Sequence, residues 1–371
     1  MSGTAFLDPF SALNDPRQAW KVVYPLTEIL LLVLCGTIAG AETFVEIERW
    51  GAGKLGFLRR FLPFAHGIPA HDTLNDVMNA LPASRFAECF TVWASSWRET
   101  EPDLMAIDGK TSRRAKRGEA HPLPLVSAWA SRQRLLLGQE AVTEKSNEIT
   151  AIPLLLERLE LTGALVTIDA MGCQRAMAAA SRAQAADYLL ARKDNQPPPL
   201  AQDVRLFFDT AKGLPLHETT DGEQGRIEVR RHKISHEVGW LTDHRRFPEE
   251  PRFPDLAPIA RVEAEVERHG QTPLARRYYL SSAPLSAEQL ARAVRAHWGI
   301  ENRLPWVRDV VFHDDLLRWR TENGPANRAT MRHAALNPIQ AIPEKASLNV
   351  KRKTAAGDES YLFKALTANH Q

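Results

Sequence analysis

Cysteine is scarce in this chain. Its three copies, Cys35, Cys89 and Cys173, lie far apart and make no C-x-x-C pair. That excludes a disulfide scaffold and a zinc ribbon, and it fits a reducing, cytoplasmic setting. Long apolar runs are missing too. The greasiest stretch, residues 29–41, covers 13 residues between Glu28 and Glu42. A bilayer crossing needs ~20, so a core helix is expected there and no membrane. The opening MSGTAFLDPF has neither the basic nor the apolar region of a signal peptide. No internal repeat is present, and no sign of charge dominates. The 47 basic and 45 acidic residues leave a net charge of +2, so information lies in where the charges cluster.

What remains is ordinary globular material, 44% apolar and 25% charged, in a chain of 371 residues long enough for two or three units. Residues 1–100 read as a helical amino-terminal domain. Leu26, Ile29, Leu30 and Val33 keep helical spacing behind Pro25, and Phe86, Cys89, Phe90, Trp93 and Trp97 form a second stripe. In GIPAHDTLNDVM, Asp72 is expected to cap a helix. His66, His71, Asp72 and Asp76 are read as loop and cap rather than as metal ligands.

The period changes over residues 101–196. LMAIDGKT, PLVSAWAS and RLLLGQEAVTE read as strands, followed by the helix AIPLLLERLE, the strand ALVTIDA, a helix over 174–184 and the strand DYLLAR. A three-strand meander followed by helix–strand–helix–strand specifies an α/β core, a mixed sheet with flanking helices. Residues 197–284 open on Pro197, Pro198 and Pro199 and read as a mostly β insertion. Residues 285–344 return to helix, opened by a capping box of Ser286 and Gln289. Residues 345–371, with NVKRKTAAGDES, are expected to be a basic, loose tail.

Three carboxylates carry the chemistry. In the helix opened by Ser286, Leu290, Val294, His297 and Glu301 recur at helical steps and share one face. A carboxylate on a face that packs against a sheet is costly unless a cation meets it. Asp108 and Asp169 close the strands ending AID and TID. Singly, each could cap the segment that follows. As neighbours they would repel and raise each other's pKa. Two divalent ions ~3.5–4 Å apart would satisfy all three groups and serve in-line attack on phosphate. Hard oxygen ligands select magnesium, with manganese able to substitute.

Basic clusters surround these acids. GKTSRRAKR after Asp108 holds Lys110, Arg113, Arg114, Lys116 and Arg117. Arg295, Arg303, Arg308, Arg318 and Arg320 lie on and after the last helix, and the insertion adds Arg226, Arg230, Arg231 and Lys233. Such clusters neutralise backbone phosphates. A solvated face is the competing reading, and it is as good for the run KRK in the tail. Trp298, Trp306 and Trp319 are read as packing residues rather than base-stacking ones. A carboxylate-pair glycosidase would need no cations, and the basic runs speak against it.

The motifs YPLTEILLLVLC and GIPAHDTL, then IDGKT, LVSAWAS, EKSNEI, AIPLLL, VTIDAMGCQ, KDNQP and HWGIEN follow in order. Through them the chain resembles, from about residue 15 to residue 366, bacterial insertion-sequence transposases of the H-repeat-associated (ISAs) type, of the DDE superfamily. The resemblance implies a ribonuclease-H-like catalytic core with a β-rich insertion, behind a helical domain that recognises DNA or a partner subunit. It implies Asp108, Asp169 and Glu301 as the catalytic, metal-binding triad for two magnesium ions. The implied reaction is cleavage at the ends of an element and strand transfer into target DNA. The implied partners are double-stranded DNA, as terminal inverted repeats and target, and a second copy in a synaptic homodimer. Arg113 and Arg114 are expected to bind DNA, and Lys110, Lys193 and Asn195 to meet phosphate or sugar near strand ends. Arg308 stands seven residues after Glu301, an offset at which some related transposases keep a basic residue.

Two prolines depart from the family pattern. ENRLPW has Pro305 where the family has histidine, and LNPIQ has Pro338 where it has an apolar residue. Proline in a helix removes a hydrogen bond and crowds the carbonyl four residues back, which for Pro305 is that of Glu301. An inactive or repurposed copy that only binds DNA is therefore the alternative expectation.

Overall fold

The computed structural model describes residues 5–99, 101–110, 125–142, 148–169, 173–192, 200–223, 226–242, 253–266, 273–306 and 322–368. Helices come first: α1 (Leu26–Ile38), α2 (Phe44–Gly53), α3 (Leu55–Leu58), α4 (His71–Ala80) and α5 (Ala83–Ser95). Strands β1 (Leu104–Lys110), β2 (Leu125–Ala130) and β3 (Leu135–Ala141) follow, then α6 (Glu148–Glu157), β4 (Leu165–Ile168), α7 (Arg175–Ala183) and β5 (Asp187–Arg192). Next come α8 (Leu200–Thr210), β6 (Leu216–Glu223), β7 (Arg226–Ser235), α9 (Gly239–Thr242), β8 (Ile259–Val266) and β9 (Leu274–Ser281). The chain ends in α10 (Ala287–Trp306), α11 (Gly324–Ala341), α12 (Leu348–Gly357) and α13 (Glu359–Thr367).

The strands hydrogen-bond in the order β3-β2-β1-β4-β5-β9-β8-β7-β6. β1, β4 and β5 run parallel, while β2–β3 and every pair from β5–β9 outward to β7–β6 are antiparallel. This is the mixed sheet with flanking helices of a ribonuclease-H-like core. The central strands are short, nearly continuous apolar runs because helices cover parallel strands on both faces. Val166 and Ile168 of β4 are buried, and so is the one polar residue between them, Thr167. The inserted strands extend the same sheet, since β9 pairs with β5 from Leu189↔Ser281 to Arg192↔Tyr278.

By contact the chain forms two compact units. The first comprises Met1–Glu99, Gly109–Lys145 and Arg303–Gln371. Its charged groups are buried where backbone needs them. Glu28 accepts from the Phe64 N–H at 2.7 Å, and Arg328 donates to the Glu42 carbonyl at 2.6 Å. The expected loose tail is instead α12 and α13. Lys351 donates to the Ile342 carbonyl at 2.6 Å and Arg352 to the Thr37 carbonyl at 3.1 Å. Their aliphatic stems are buried while the tips satisfy carbonyls at the ends of α11 and α1.

Asp72 also differs from expectation. Ala70 holds the cap position of α4, without a side-chain bond, and Asp72 stands in the first turn, where a negative charge suits the helix dipole. His71 is fixed by Glu48, which accepts from its backbone N–H at 2.9 Å. Pro338 does not end α11, which continues to Ala341. Beside it, Asn337 bonds the Leu136 backbone of β3 in both directions, at 2.9 and 3.0 Å.

Candidate active site

The second unit, Thr100–Asp108 and Ser146–Asn302, contains all three acids singled out from the sequence. β1 and β4 are in register from Leu104↔Leu165 to Ile107↔Ile168. The next residue in each segment is an acid: Asp108 lies within β1, which runs on to Lys110, and Asp169 follows directly on β4, and paired strands lie ~4.8 Å apart. Both are half-buried. Residues in register share a face of the sheet, so both aspartates belong to the face of Thr167.

Helix α10 covers that face. It starts beside the amino end of β5, where the Tyr188 N–H donates to Ser282 Oγ at 3.0 Å and Ser282 Oγ donates to Asp187 at 2.7 Å. Ser286 and Gln289 close the capping box, each side chain accepting from the other's backbone N–H, at 3.2 and 2.8 Å. Leu290, Ala293 and Val294 then pack with Leu189, Ala191 and Tyr279 in one buried cluster. A turn later His297, 7% exposed, shares a 2.8 Å hydrogen bond between its Nδ1 and Thr167 Oγ1. The Thr167 hydroxyl also lies 3.4 Å from the Met105 carbonyl of β1. From this contact two strand residues advance ~6.6 Å to Asp169, and four helical residues advance ~6 Å to Glu301. Helix and strand therefore travel together toward the same end of the sheet. α10 runs unbroken through Glu301 and Pro305 to Trp306.

Charges around this end are coupled. Burial, and then Asp169, raises the Glu148 carboxyl in the first turn of α6. Burial pushes the Cys173 thiol up to about 12, with Arg192 pulling down and Asp169 pushing up. Burial likewise lowers His297 to about 4, against the pull of Asp169 and with help from Arg277. The charge of Asp169 thus reaches Glu148, Cys173 and His297, and Arg192 reaches Cys173. Sequence reading missed Thr167, Glu148, Arg192 and Arg277 here. Only strand register brings them together, although EKSNEI and the buried strand threonine were visible signals.

Lys110 ends β1. Arg113, Arg114, Lys193, Asn195 and Arg308 lie outside the described residues. Several cations read as free for phosphate are instead committed. Arg230 pairs with Glu228 at 2.9 Å, Arg231 with Glu218 at 2.9 Å and Glu265 at 2.7 Å, and Arg295 with Asp221 at 2.8 Å.

Residues 7–94 match the DDE_Tnp_1-associated family and residues 99–337 match the Transposase DDE domain family. The chain is 35% identical over 380 residues to the H repeat-associated putative transposase YhhI of Escherichia coli (strain K12), covering 98% of each. It is 35% identical over 380 residues to the Putative transposase YncI of Escherichia coli O157:H7, covering 99% of this chain and 96% of that one. A piggyBac transposase from a synaptic complex with hairpin DNA overlays at a TM-score of 0.44 and 10% identity, covering 94% of this chain and 75% of that one, a likeness from which nothing about the site follows. Family matches over both segments and relatives aligned from end to end lead to one conclusion: this chain belongs to the DDE transposase family.

Proposed function

We propose that this chain cuts phosphodiester bonds at the ends of its own DNA element and joins the exposed 3′ hydroxyl to target DNA. The observation that supports the reading is the register of β1 and β4, paired up to the residues directly before Asp108 and Asp169, on the face covered by the helix that carries Glu301. Half-buried carboxylates that follow paired strand segments are a donor set of hard oxygens, and that chemistry fits magnesium, with manganese able to substitute. Asp108, Asp169 and Glu301 would hold two ions. When bound, such ions neutralise charge at the attacking and leaving oxygens of an in-line displacement.

The remaining work falls to the chain itself. Thr167 and His297 hold α10 at a fixed advance on β4. Arg192, at the end of β5, holds its positive charge on Cys173, four residues after Asp169. The partners are double-stranded DNA, as terminal inverted repeats and target, and a second copy in a synaptic homodimer. A cytoplasmic, nucleoid-associated location follows from those partners. A DNA-binding relic is not favoured, since α10 is continuous across Pro305.

The test is cleavage of a plasmid carrying the sequences that flank the gene, with magnesium, manganese or chelator. Cutting at the repeat ends should need metal and disappear in Asp169→Asn and in Glu301→Gln, while both variants still retain DNA. Cutting that survives chelator or both substitutions would refute the reading.

A further inference from the structure

Two arginines approach the same indole on α10. Arg277 lies 4.5 Å and Arg230 4.7 Å from the ring centre of Trp298. They differ in what else they touch. The Arg230 side chain is 5% exposed and is neutralised by Glu228 at 2.9 Å and Asp221 at 3.7 Å. Arg277 is half-buried and, among the described residues, makes no ion pair with a carboxylate. Its neighbour Arg276 points to the opposite face of the sheet and donates to Glu263 at 3.0 Å.

Register fixes where Arg277 stands. Tyr278 pairs with Arg192, the last residue of β5, so Arg277 lies one step past that strand's carboxyl end. It faces α10, because its cross-strand partner Val262 belongs to the cluster that buries the helix. Trp298 precedes Glu301 by three residues, close to one turn. The field of Arg277 reaches His297, as does that of Asp169. A guanidinium therefore sits at the rim of the acidic site, braced on an aromatic ring and uncommitted to any described acid. Such a fork matches two oxygens of a phosphate, and stacking on the ring removes much of the side-chain freedom that binding would otherwise cost.

We propose that Arg277 is a DNA-phosphate contact of this site, held by Trp298 to grip the backbone next to the phosphodiester served by Asp108, Asp169 and Glu301. The proposal rests on the transposase reading above. It assigns the insertion a direct part in holding substrate, through β9 and not through the ion-paired arginines of β7.

The experiment is a salt titration of binding, full-length protein against a fluorescently labelled duplex of about 30 base pairs and arbitrary sequence, long enough to span several phosphate contacts. Each phosphate contact contributes about 0.9 to the slope of log affinity against log salt. Arg277→Met keeps the stem over Trp298 and should flatten the slope by about that amount. Between 50 and 200 mM salt its affinity should then fall roughly 3.5-fold less than that of the parent. Arg277→Lys should keep the slope with weaker binding, and Arg276→Ala should keep both. Where Arg277→Met fails to fold, Arg277→Gln supplies the same readout. A parent-like slope in the uncharged variants overturns this proposal and leaves the transposase reading intact. Absence of salt-dependent binding by the parent protein overturns that reading as well.

Discussion

Thr167 of β4 and His297 of α10, 130 residues apart in sequence, share a hydrogen bond of 2.8 Å in the interior of the molecule. That contact sets how far α10 has advanced along β4 when each reaches its acidic residue. It works like an alignment pin, since a slip of one helical residue would turn α10 by about 100° against the sheet.

His297 should make stability depend on acidity. Burial holds its imidazole at about 4, below the usual 6.5. The unfolded chain binds a proton near 6.5 that the folded chain refuses until about 4. Stability is therefore intact above 6.5 and falls as the pH drops toward 4, by about 3 kcal/mol in all. Urea unfolding at several pH values should show this fall, and His297→Gln should remove most of it. His297→Gln should also lower cleavage at least tenfold while DNA binding stays near that of the parent.

Asp169 should trade apo stability for ion binding. Its charge, behind the larger contribution of burial, raises Glu148. Asp169→Asn relieves that repulsion, so the metal-free variant should melt no lower than the parent. Magnesium at about 100 times its dissociation constant should stabilise the parent by roughly 2.7 kcal/mol and the variant far less. Thermal melts with magnesium and with chelator measure both, and an undiminished magnesium shift in the variant would remove Asp169 from the ion site.

Arg328 should be a stability residue of the first unit. It is 1% exposed, donates to the Glu42 carbonyl and lies 5.7 Å from the Phe44 ring. Arg328→Met keeps the volume and strands that carbonyl, a cost of about 1–3 kcal/mol. Arg328→Ala opens a cavity as well and should cost about 3–5 kcal/mol. Urea midpoints in that order, parent above Met above Ala, are the expected result.

Pro305 should be a correctable weakness. It lies in the last turn of α10 and has no N–H to offer the Glu301 carbonyl. Pro305→Ala should stabilise by about 1–3 kcal/mol, read as a rise in melting temperature. Cleavage should be equal or faster, because the helix upstream of the substitution is already formed.

The core was legible because its signals are local. LMAI and LVTI are short apolar runs ending in aspartate, and Leu290, Val294 and His297 betray a buried helix face by spacing alone. What escaped depends on partners distant in sequence. Lys351 and Arg352 read as solvated charge because nothing nearby announces the carbonyls of Ile342 and Thr37 that receive them. Arg276 and Arg277 are indistinguishable in ARRYYLS. Only the pairing of β9 with β8 and β5 sends one to Glu263 and the other to Trp298. Asp72 carried the right residue type two positions too late, behind Ala70.

The pairing of β9 with β5 has a last consequence, for how such a chain can change over generations. The polypeptide leaves the core at the end of β5 and re-enters through the strand beside it, so everything between hangs from the sheet as a side branch. β6 and β7 form its outer hairpin, with β6 at the free edge. Residues can be gained or lost out there while Asp187, Tyr188, Ser281 and Ser282 keep the junction closed. The outer part of the 132-residue step from Asp169 to Glu301 is thus a length free to drift, while the strands that close the junction are not.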